Sequence, residues 1–390
     1  VVTLVGSLGC SSGDAGQVRC AEYELTEPPE VSAIFQGGRD GYPVFRIPAA
    51  VSTRSGVLLA FAEARQTLED PGAGQIDVVM KRSFDCGRTW GDFRVLAENG
   101  DGDAHNPTAV VAFDSEGTSR VWLFYGLRPA SAGGEFDLPA GLGPESARVF
   151  VRTSADDGAS WSVPDEITDE VKDPTWAVTS TGPGQAIVTK WGNEDSPAGR
   201  ILVPAWYHLE GETGPEGSFA FYSDDGGRSW DRAGVPEPRS NEAQLVELVD
   251  GTILMDARQN EEEGTDRLVF RSLDGGQTWS SPEPGLPMTP IMAGIQRYSA
   301  ERDGDERDLL VHTGVAPDQR FDVRVWLSDD EATSWTDETI VEPGFAQYSL
   351  ATTLDDATLG LVYESASTDA ENPGLTIRFA RFDLAWVEGQ

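Results

Sequence analysis

The sequence predicts an all-β chain built from a repeated sheet. One turn of fixed composition recurs along it, short alternating or β-branched runs fill the intervals, and no long amphipathic helix is evident. The turn is written five times: SFDCGRTW from Ser83, SADDGASW from Ser154, SDDGGRSW from Ser223, SLDGGQTW from Ser272 and SDDEATSW from Ser328. Its starts lie about fifty to seventy residues apart, the length of one four-stranded sheet with its loops, which marks a radial or stacked repeat.

Each position of the turn has a physical task. Asp85, Asp156, Asp225, Asp274 and Asp330 are expected to accept hydrogen bonds from backbone amides two residues on, while the glycines supply positive φ. The closing Trp90, Trp161, Trp230, Trp279 and Trp335 offer large apolar surfaces, expected to clamp each turn onto its own sheet. The fifth copy carries Ala332 in place of glycine, so that turn is expected to be distorted but present. Between the turns, VFRIPAAV from Val44, GVLLAFAEA from Gly56, IDVVMKRS from Ile76, RVWLFYG from Arg120, RILVPAWY from Arg200 and TILMDAR from Thr252 read as strands. Clusters of Gly, Pro, Asn and Asp bound them.

With 390 residues, 39% of them hydrophobic, the chain can fill a core without staples. The net charge of −37 argues against a nucleic-acid partner, because phosphate binding needs a basic face, and reads as a solvated acidic surface. An anion can still be bound locally wherever the few arginines converge.

The opening VVTLVGSLGC is apolar, small and without an initiating Met, so it reads as the tail of a secretory signal and points to a secreted or cell-surface protein. Cys10 after Gly9 resembles a bacterial lipoprotein cleavage site and is a candidate lipid anchor, although Ser7 stands where such sites prefer a branched aliphatic residue. The polar stretch from Ser11 to Glu30 is expected to be a tether, which leaves 31–390 as one domain. No later segment is apolar for long enough to span a membrane. Three cysteines do not make a disulfide scaffold; with Cys10 lipidated, Cys20 and Cys86 could pair, though nothing in the sequence shows it. No metal-ligand cluster is evident, and neither metal nor cofactor is expected.

At Phe45 the chain reads FRIP, which places Arg46 in a strand where it must be either paired or aimed at a ligand. FRIP followed by repeated aspartate-box turns resembles the bacterial exo-α-sialidase (neuraminidase) family over roughly Ile34 to Trp386. The resemblance implies a six-bladed β-propeller, in which one blade may lack a box, and further matches extend it. In LLAFAEARQTLED, Arg65 corresponds to an arginine that contacts the sugar's ring hydroxyls, and Asp70 to an acid/base catalyst on a loop marked by PGAG. Asp77 is the competing carboxylate, with a structural role as its alternative. SNEAQLVELVDGTILMDAR sets Glu242 and Arg258 sixteen residues apart across a VDGT turn, a hairpin that can return both side chains to one end. Arg320 in APDQRFDVRVWLS takes the place of the family's third arginine, with Arg324 as its rival inside the following strand. AQYSL sets Tyr348 as the nucleophile, and GLVYES sets Glu364 as the carboxylate bracing the first arginine. TGPG at Thr181 and GRILVPAW at Gly199 also resemble segments near the active-site rim.

The chemistry implied is release of terminal sialic acids from glycoconjugates. Three guanidiniums, from Arg46, Arg258 and Arg320, can hold the sugar's carboxylate by charge-assisted hydrogen bonds, more directionally than lysine would. A neutral phenol approaches a carbon bearing that carboxylate without repulsion, and sialidases with a tyrosine nucleophile are a recognised exception among glycosidases. Glu242 is expected as the base for Tyr348, with retention of anomeric configuration. Alternatives are a trans-sialidase, a hydrolase of a related nonulosonic acid, or a non-catalytic sialic-acid-binding propeller.

Overall fold

The computed structural model describes residues 18, 20, 23–25, 28–68, 75–130, 136–193, 196–211, 215–236, 240–259, 264–336, 338–354, 358–366 and 375–389. Cys10, Asp70 and the PGAG loop lie outside the described residues. Among the described residues the chain is all-β, with only short helices, Thr168–Val171 and Leu384–Glu388, and a 3-10 turn at Glu301–Asp303. No helix among the described residues is long and apolar enough to cross a membrane.

Among the described residues the strands form hydrogen-bonded sheets of seven, five, nine and four members; apart from the short Gly184–Gln185 and Ile187–Val188, their registers divide them into six antiparallel meanders of four, the last two sharing one long strand. The first runs Val44–Ser52, Leu58–Arg65, Ile76–Ser83, Gly91–Ala97; the second Asp103–Phe113, Ser119–Arg128, Arg148–Ser154, Asp165–Glu166. The third is Trp176–Thr181, Ile201–Leu209, Glu216–Ser223, Asp231–Arg232; the fourth Ser240–Glu247, Ile253–Gln259, Asp266–Ser272, Glu283–Pro287. Gly294–Ser299, Leu309–Gly314 and Phe321–Ser328 open the fifth, and the long strand Thr339–Thr353 completes it before crossing to begin the sixth with Leu359–Ala366 and Leu375–Phe382. A single parallel bridging pair, Ile76 with Asp103, joins the first two meanders.

Burial explains the composition of each strand. Val44–Ser52 and Leu58–Arg65 are buried along almost their whole length, which is why they read as continuous apolar runs. Some fourth strands, such as Asp165–Glu166 and Asp231–Arg232, are exposed and correspondingly polar. Val44–Ser52 lies beside Asp103–Phe113 on one side and Thr339–Thr353 on the other, so the neighbour relations return from the last meander to the first.

All five turns join the third and fourth strands of their meanders, at the end away from Arg46, Glu242 and Tyr348. Their hydrogen bonds differ from the sequence expectation. Asp85 reaches four residues on, accepting from the Thr89 amide at 2.9 Å and its hydroxyl at 2.5 Å, while Ser83 accepts from the Gly87 amide at 2.8 Å. Asp156, Asp225, Asp274 and Asp330 repeat the pattern. Burial of these carboxylates works against ionisation, but the hydroxyl and amide donors together hold every one of them below the usual range.

Ala332 does not distort the fifth turn. It takes φ 62°, and its amide donates to Ser328 Oγ at 2.9 Å as the glycines do. The closing tryptophans pack across to the preceding meander as well as onto their own, where Trp335 meets His312 at 5.3 Å and Trp230 meets Phe221 at 5.7 Å. Trp90 meets Phe379 at 5.5 Å, Trp161 meets Phe61 at 5.9 Å, and Trp230 meets Phe124 at 5.1 Å. A flat indole at the corner of one sheet thus serves to join sheets.

The N-terminal segment closes the set. Glu30–Phe35 pairs with Leu375–Phe382 and becomes the fourth strand of the sixth meander. The stretch expected as a tether is fastened where it is described: the Val18 amide donates to Ser55 O, and Arg381 donates to the carbonyls of Cys20 and Tyr23. Cys20 and Cys86 form a disulfide, their Cα atoms 5.4 Å apart, and both side chains are buried. Cys86 belongs to the first meander's turn, so this bond ties the closing strand's leader to the first sheet.

Two outcomes follow. Cys86→Ser is expected to cost about 4 kcal/mol through the closed loop of 66 residues, lowering the melting midpoint by about 6 °C; an unchanged calorimetric midpoint would show the bond is dispensable. Ala332→Gly is expected to stabilise by about 0.5–1 kcal/mol, since glycine adopts the left-handed region without a Cβ penalty, and urea unfolding with an unshifted or lowered midpoint would contradict it.

Candidate active site

The site grows out of irregularities in the first strands. Registers shift between Arg46 and Ala49, between His105 and Thr108, between Ser240 and Ala243, and between Ala346 and Ser349. A β-bulge turns a side chain off the regular alternation, and here the bulges carry Arg46, Asn106, Glu242 and Tyr348. Ile47 and Asn106, each followed by proline, sit at φ 55° and 52°. For a β-branched residue this is strained by about 1–2 kcal/mol, and a buried carboxylate holds each in place. Glu364 Oε1 accepts the Ile47 amide at 2.7 Å, and Glu63 Oε1 accepts the Asn106 amide at 2.8 Å.

Four of the residues singled out from sequence meet around the phenol. The Tyr348 hydroxyl donates to the Glu242 carboxylate, with oxygen separations of 2.6 and 2.7 Å. Arg258 donates from one nitrogen to Glu242 at 2.9 Å and to the Tyr348 oxygen at 3.1 Å. The Arg46 guanidinium lies 5.5 Å from the centre of the Tyr348 ring. The VDGT hairpin does bring Glu242 and Arg258 back to one end, with the Leu248 amide donating to Thr252 O and the Gly251 amide to Leu248 O.

Arg46 also extends the cluster to Glu364 and Arg320. Its Nε reaches Glu364 Oε2 at 3.4 Å, and a terminal nitrogen reaches Gln347 Oε1 at 3.4 Å. Arg320 donates to the same Gln347 oxygen at 2.7 Å. Arg324 is engaged elsewhere, with Glu338 at 2.7 Å and Asp322 at 3.4 Å, so the geometry brings Arg320 and not its rival to the cluster. Gln347 carried no signal in the sequence beyond its place beside Tyr348. A neutral side chain that accepts from two guanidiniums holds them together without cancelling their charge.

The electrostatics follow from burial. Burial and the adjoining Glu242 charge push the Tyr348 hydroxyl well above its ordinary range, although Arg258 and Arg46 oppose them, so the phenol is protonated at neutral pH. Burial likewise raises Glu364, against the pull of Arg46, the Ile47 amide and Arg65.

Arg65 is 2% exposed, and its Nε donates to Glu63 Oε2 at 2.7 Å, so Glu63 both orients Arg65 and pins the Asn106 bulge. Asp77 accepts from the Tyr42 hydroxyl at 2.5 Å. Thr181–Gly184 lies against the Glu242 strand, with the Ala243 amide donating to Gly182 O. The segment GRILVPAW from Gly199 starts at the end away from the site, where Arg200 pairs with Asp224 at 2.7 Å, and runs toward it, Ala205 pairing with Thr181. Among the described residues no group of three or more His, Cys, Asp or Glu could hold a metal ion.

Glu364→Gln keeps an acceptor for the Ile47 amide and removes the charge facing buried Arg46. It is expected to destabilise by about 1–3 kcal/mol in urea unfolding; a neutral result would mean that the Glu364 charge is not needed to hold Arg46.

The family model of the BNR repeat-like domain matches residues 56–361. A sialidase of Micromonospora viridifaciens is 31% identical over 370 residues, covering 90% of this chain and 53% of the relative. One from Bacteroides fragilis is 28% identical over 350 residues, covering 84% of this chain and 61% of the relative. The chain therefore spans less than two thirds of the length of these curated relatives. A Hadza microbial sialidase of known structure superimposes with a TM-score of 0.79 at 26% identity, over 92% of this chain and 69% of that one. A leech intramolecular trans-sialidase shares the fold, with a TM-score of 0.72 at 19% identity over 93% of this chain and 71% of that one. Repeats, strand order and sequence likeness converge: the chain belongs to the BNR repeat-like family and, within it, to the sialidases.

Proposed function

We propose that this protein is a retaining exo-α-sialidase that releases terminal sialic acids from glycoconjugates through a covalent link to Tyr348. The observation that carries the reading is the buried phenol donating to Glu242 while two guanidiniums, Arg258 and Arg46, face it. A structural tyrosine needs one acceptor for its hydroxyl; it does not need a carboxylate and two cations arranged around it.

In this reading Arg46, Arg258 and Arg320 hold the sugar's carboxylate and fix the anomeric carbon against Tyr348. As Oη bonds to that carbon, its proton passes to Glu242, and the bond to the leaving oxygen breaks. Asp70 protonates that oxygen, then takes a proton from the water that attacks the glycosyl–tyrosine intermediate; Glu242 returns its proton to the phenol. Tyr348 is protonated at rest, so it meets the sugar acid without charge repulsion and becomes a nucleophile only as Glu242 accepts. Arg65, braced by Glu63, stands at the end of the strand before the loop carrying Asp70, where it serves the ring hydroxyls.

The six meanders are read as six blades of a β-propeller, 31–390 forming the catalytic domain, with the site at one mouth of the axis. Support comes from the neighbour relations returning to the first meander and from the closing strand Glu30–Phe35. The Cys20–Cys86 bond supports an exported protein, since such bonds persist in oxidising compartments.

Tyr348→Phe is expected to lower hydrolysis of a fluorogenic sialoside by roughly three orders of magnitude, about 4 kcal/mol of barrier, with the melting midpoint close to wild type. NMR of the wild-type reaction should show the α-anomer released first. Near-normal turnover in the variant, or first release of the β-anomer, would remove Tyr348 from the nucleophile's role.

A further inference from the structure

At the end of the molecule away from Tyr348, a cavity of about 560 Å³ is walled by the far ends of two first strands, around Leu245–Glu247 and Ile295–Ser299, and by the segment 187–191. Glu247 lies five residues beyond Glu242 on one strand, so the cavity is about 16 Å from the catalytic cluster. Its volume falls in the range of small-molecule sites, roughly 300–1,000 Å³.

The wall is built around Trp191, which is held on several sides. Glu247 accepts the amides of Lys190, Trp191 and Gly192 at 2.5, 3.2 and 2.8 Å, which fixes the backbone. The indole N–H donates to Asp303 Oδ1 at 3.2 Å, fixing the ring. Cations flank the indole: Arg297 at 5.7 Å, Arg302 at 5.8 Å and Lys190 at 6.0 Å from a ring centre. Two of them are neutralised in place, Lys190 by Asp303 at 2.6 Å and Arg297 by both oxygens of Glu331 at 2.7 and 2.6 Å. A second aromatic wall is Tyr298, and Gln185 and Gln296 add amide side chains.

We propose that this cavity is a second glycan subsite that takes a neutral hexopyranose. Its two lining cations, Lys190 and Arg297, are each paired with a carboxylate, and the net charge of −37 adds nothing to attract an anion. A purely apolar ligand would cover the remaining hydrogen-bonding positions of the amides and carboxylates that line it. A hexose satisfies both parts of the wall, setting its C–H edge on aromatic surface and its hydroxyls on amide and carboxylate groups. Because Trp191 is already immobilised, little ordering entropy is lost on binding. The inference rests on the sialidase reading only for the source of the sugar. A glycoconjugate that presents sialic acid also presents neutral hexoses, and a weak hold on a neighbouring chain raises the effective concentration of a multivalent substrate.

The test is a titration of the full chain, with its tryptophan indoles labelled by nitrogen-15, against lactose. The indole resonance deleted by Trp191→Phe identifies Trp191, and it should shift with a millimolar dissociation constant. Arg46→Ala should leave that shift unchanged, separating it from binding at the catalytic end. Trp191→Ala, if it folds, should weaken lactose binding about tenfold or more while hydrolysis of a small fluorogenic sialoside stays at the wild-type rate and KM for a multivalent sialoglycoprotein rises. An unmoved Trp191 resonance, or a shift abolished by Arg46→Ala, would overturn the proposal. Neither result depends on turnover, so failure here is distinguishable from failure of the Tyr348 assignment.

Discussion

The carboxylate of Glu364 joins the last sheet to the first at the point where the site is assembled. One oxygen accepts the amide of Ile47, a residue held in a backbone region that β-branched side chains avoid, and the other faces Arg46. Without that acceptor the amide is buried and unsatisfied, and nothing offsets the strain. The same solution is used one sheet further on, where Glu63 accepts the amide of Asn106. A glutamate near the end of a second strand thus fixes a bulge in the first strand of the next meander, and the bulges present the reactive side chains.

This arrangement concentrates charge in a dry place. Glu63, Arg65, Arg46, Glu242 and Glu364 are all buried or nearly so, a costly condition unless each has partners of correct sign and geometry. Arg46 with Glu364 and Tyr348 with Glu242 join different meanders, so these contacts reinforce closure of the whole set. Tyr348 shows the chemical consequence. Burial and a negative neighbour keep its proton on, and that neighbour, the Glu242 carboxylate, accepts from the hydroxyl at 2.7 Å.

Much of this was legible in the residues. The repeated turn announced the sheets because its serine, aspartate and closing tryptophan have local tasks, and local tasks leave local patterns. FRIP, the Glu242–Arg258 hairpin and Tyr348 were legible through their joint resemblance to the sialidase family, since each alone also fits a structural role. What escaped was of another kind. The tryptophans were expected on their own sheets and also pack against the preceding ones, and no local pattern states which sheet will be adjacent. Gln347 gave no sign of linking Arg46 to Arg320, since its partners are hundreds of residues apart or on another strand. Ala332 suggested distortion by composition alone, yet the four hydrogen bonds of the turn hold it in the same conformation as glycine. Cys20 lay in a stretch that read as a tether, and only the pairing of Glu30–Phe35 with the last sheet brought it to Cys86.

The sequence by itself determined the sheets, their turns and the inventory of arginines, carboxylates and a tyrosine, because strand periodicity and turn chemistry are decided within a few residues. The tertiary structure alone decided which of those side chains meet: Arg320 rather than Arg324, Glu364 with Ile47, Cys20 with Cys86. Those choices depend on register, bulges and the order in which sheets become neighbours, and such long-range contacts are fixed only when the first and last sheets close on each other.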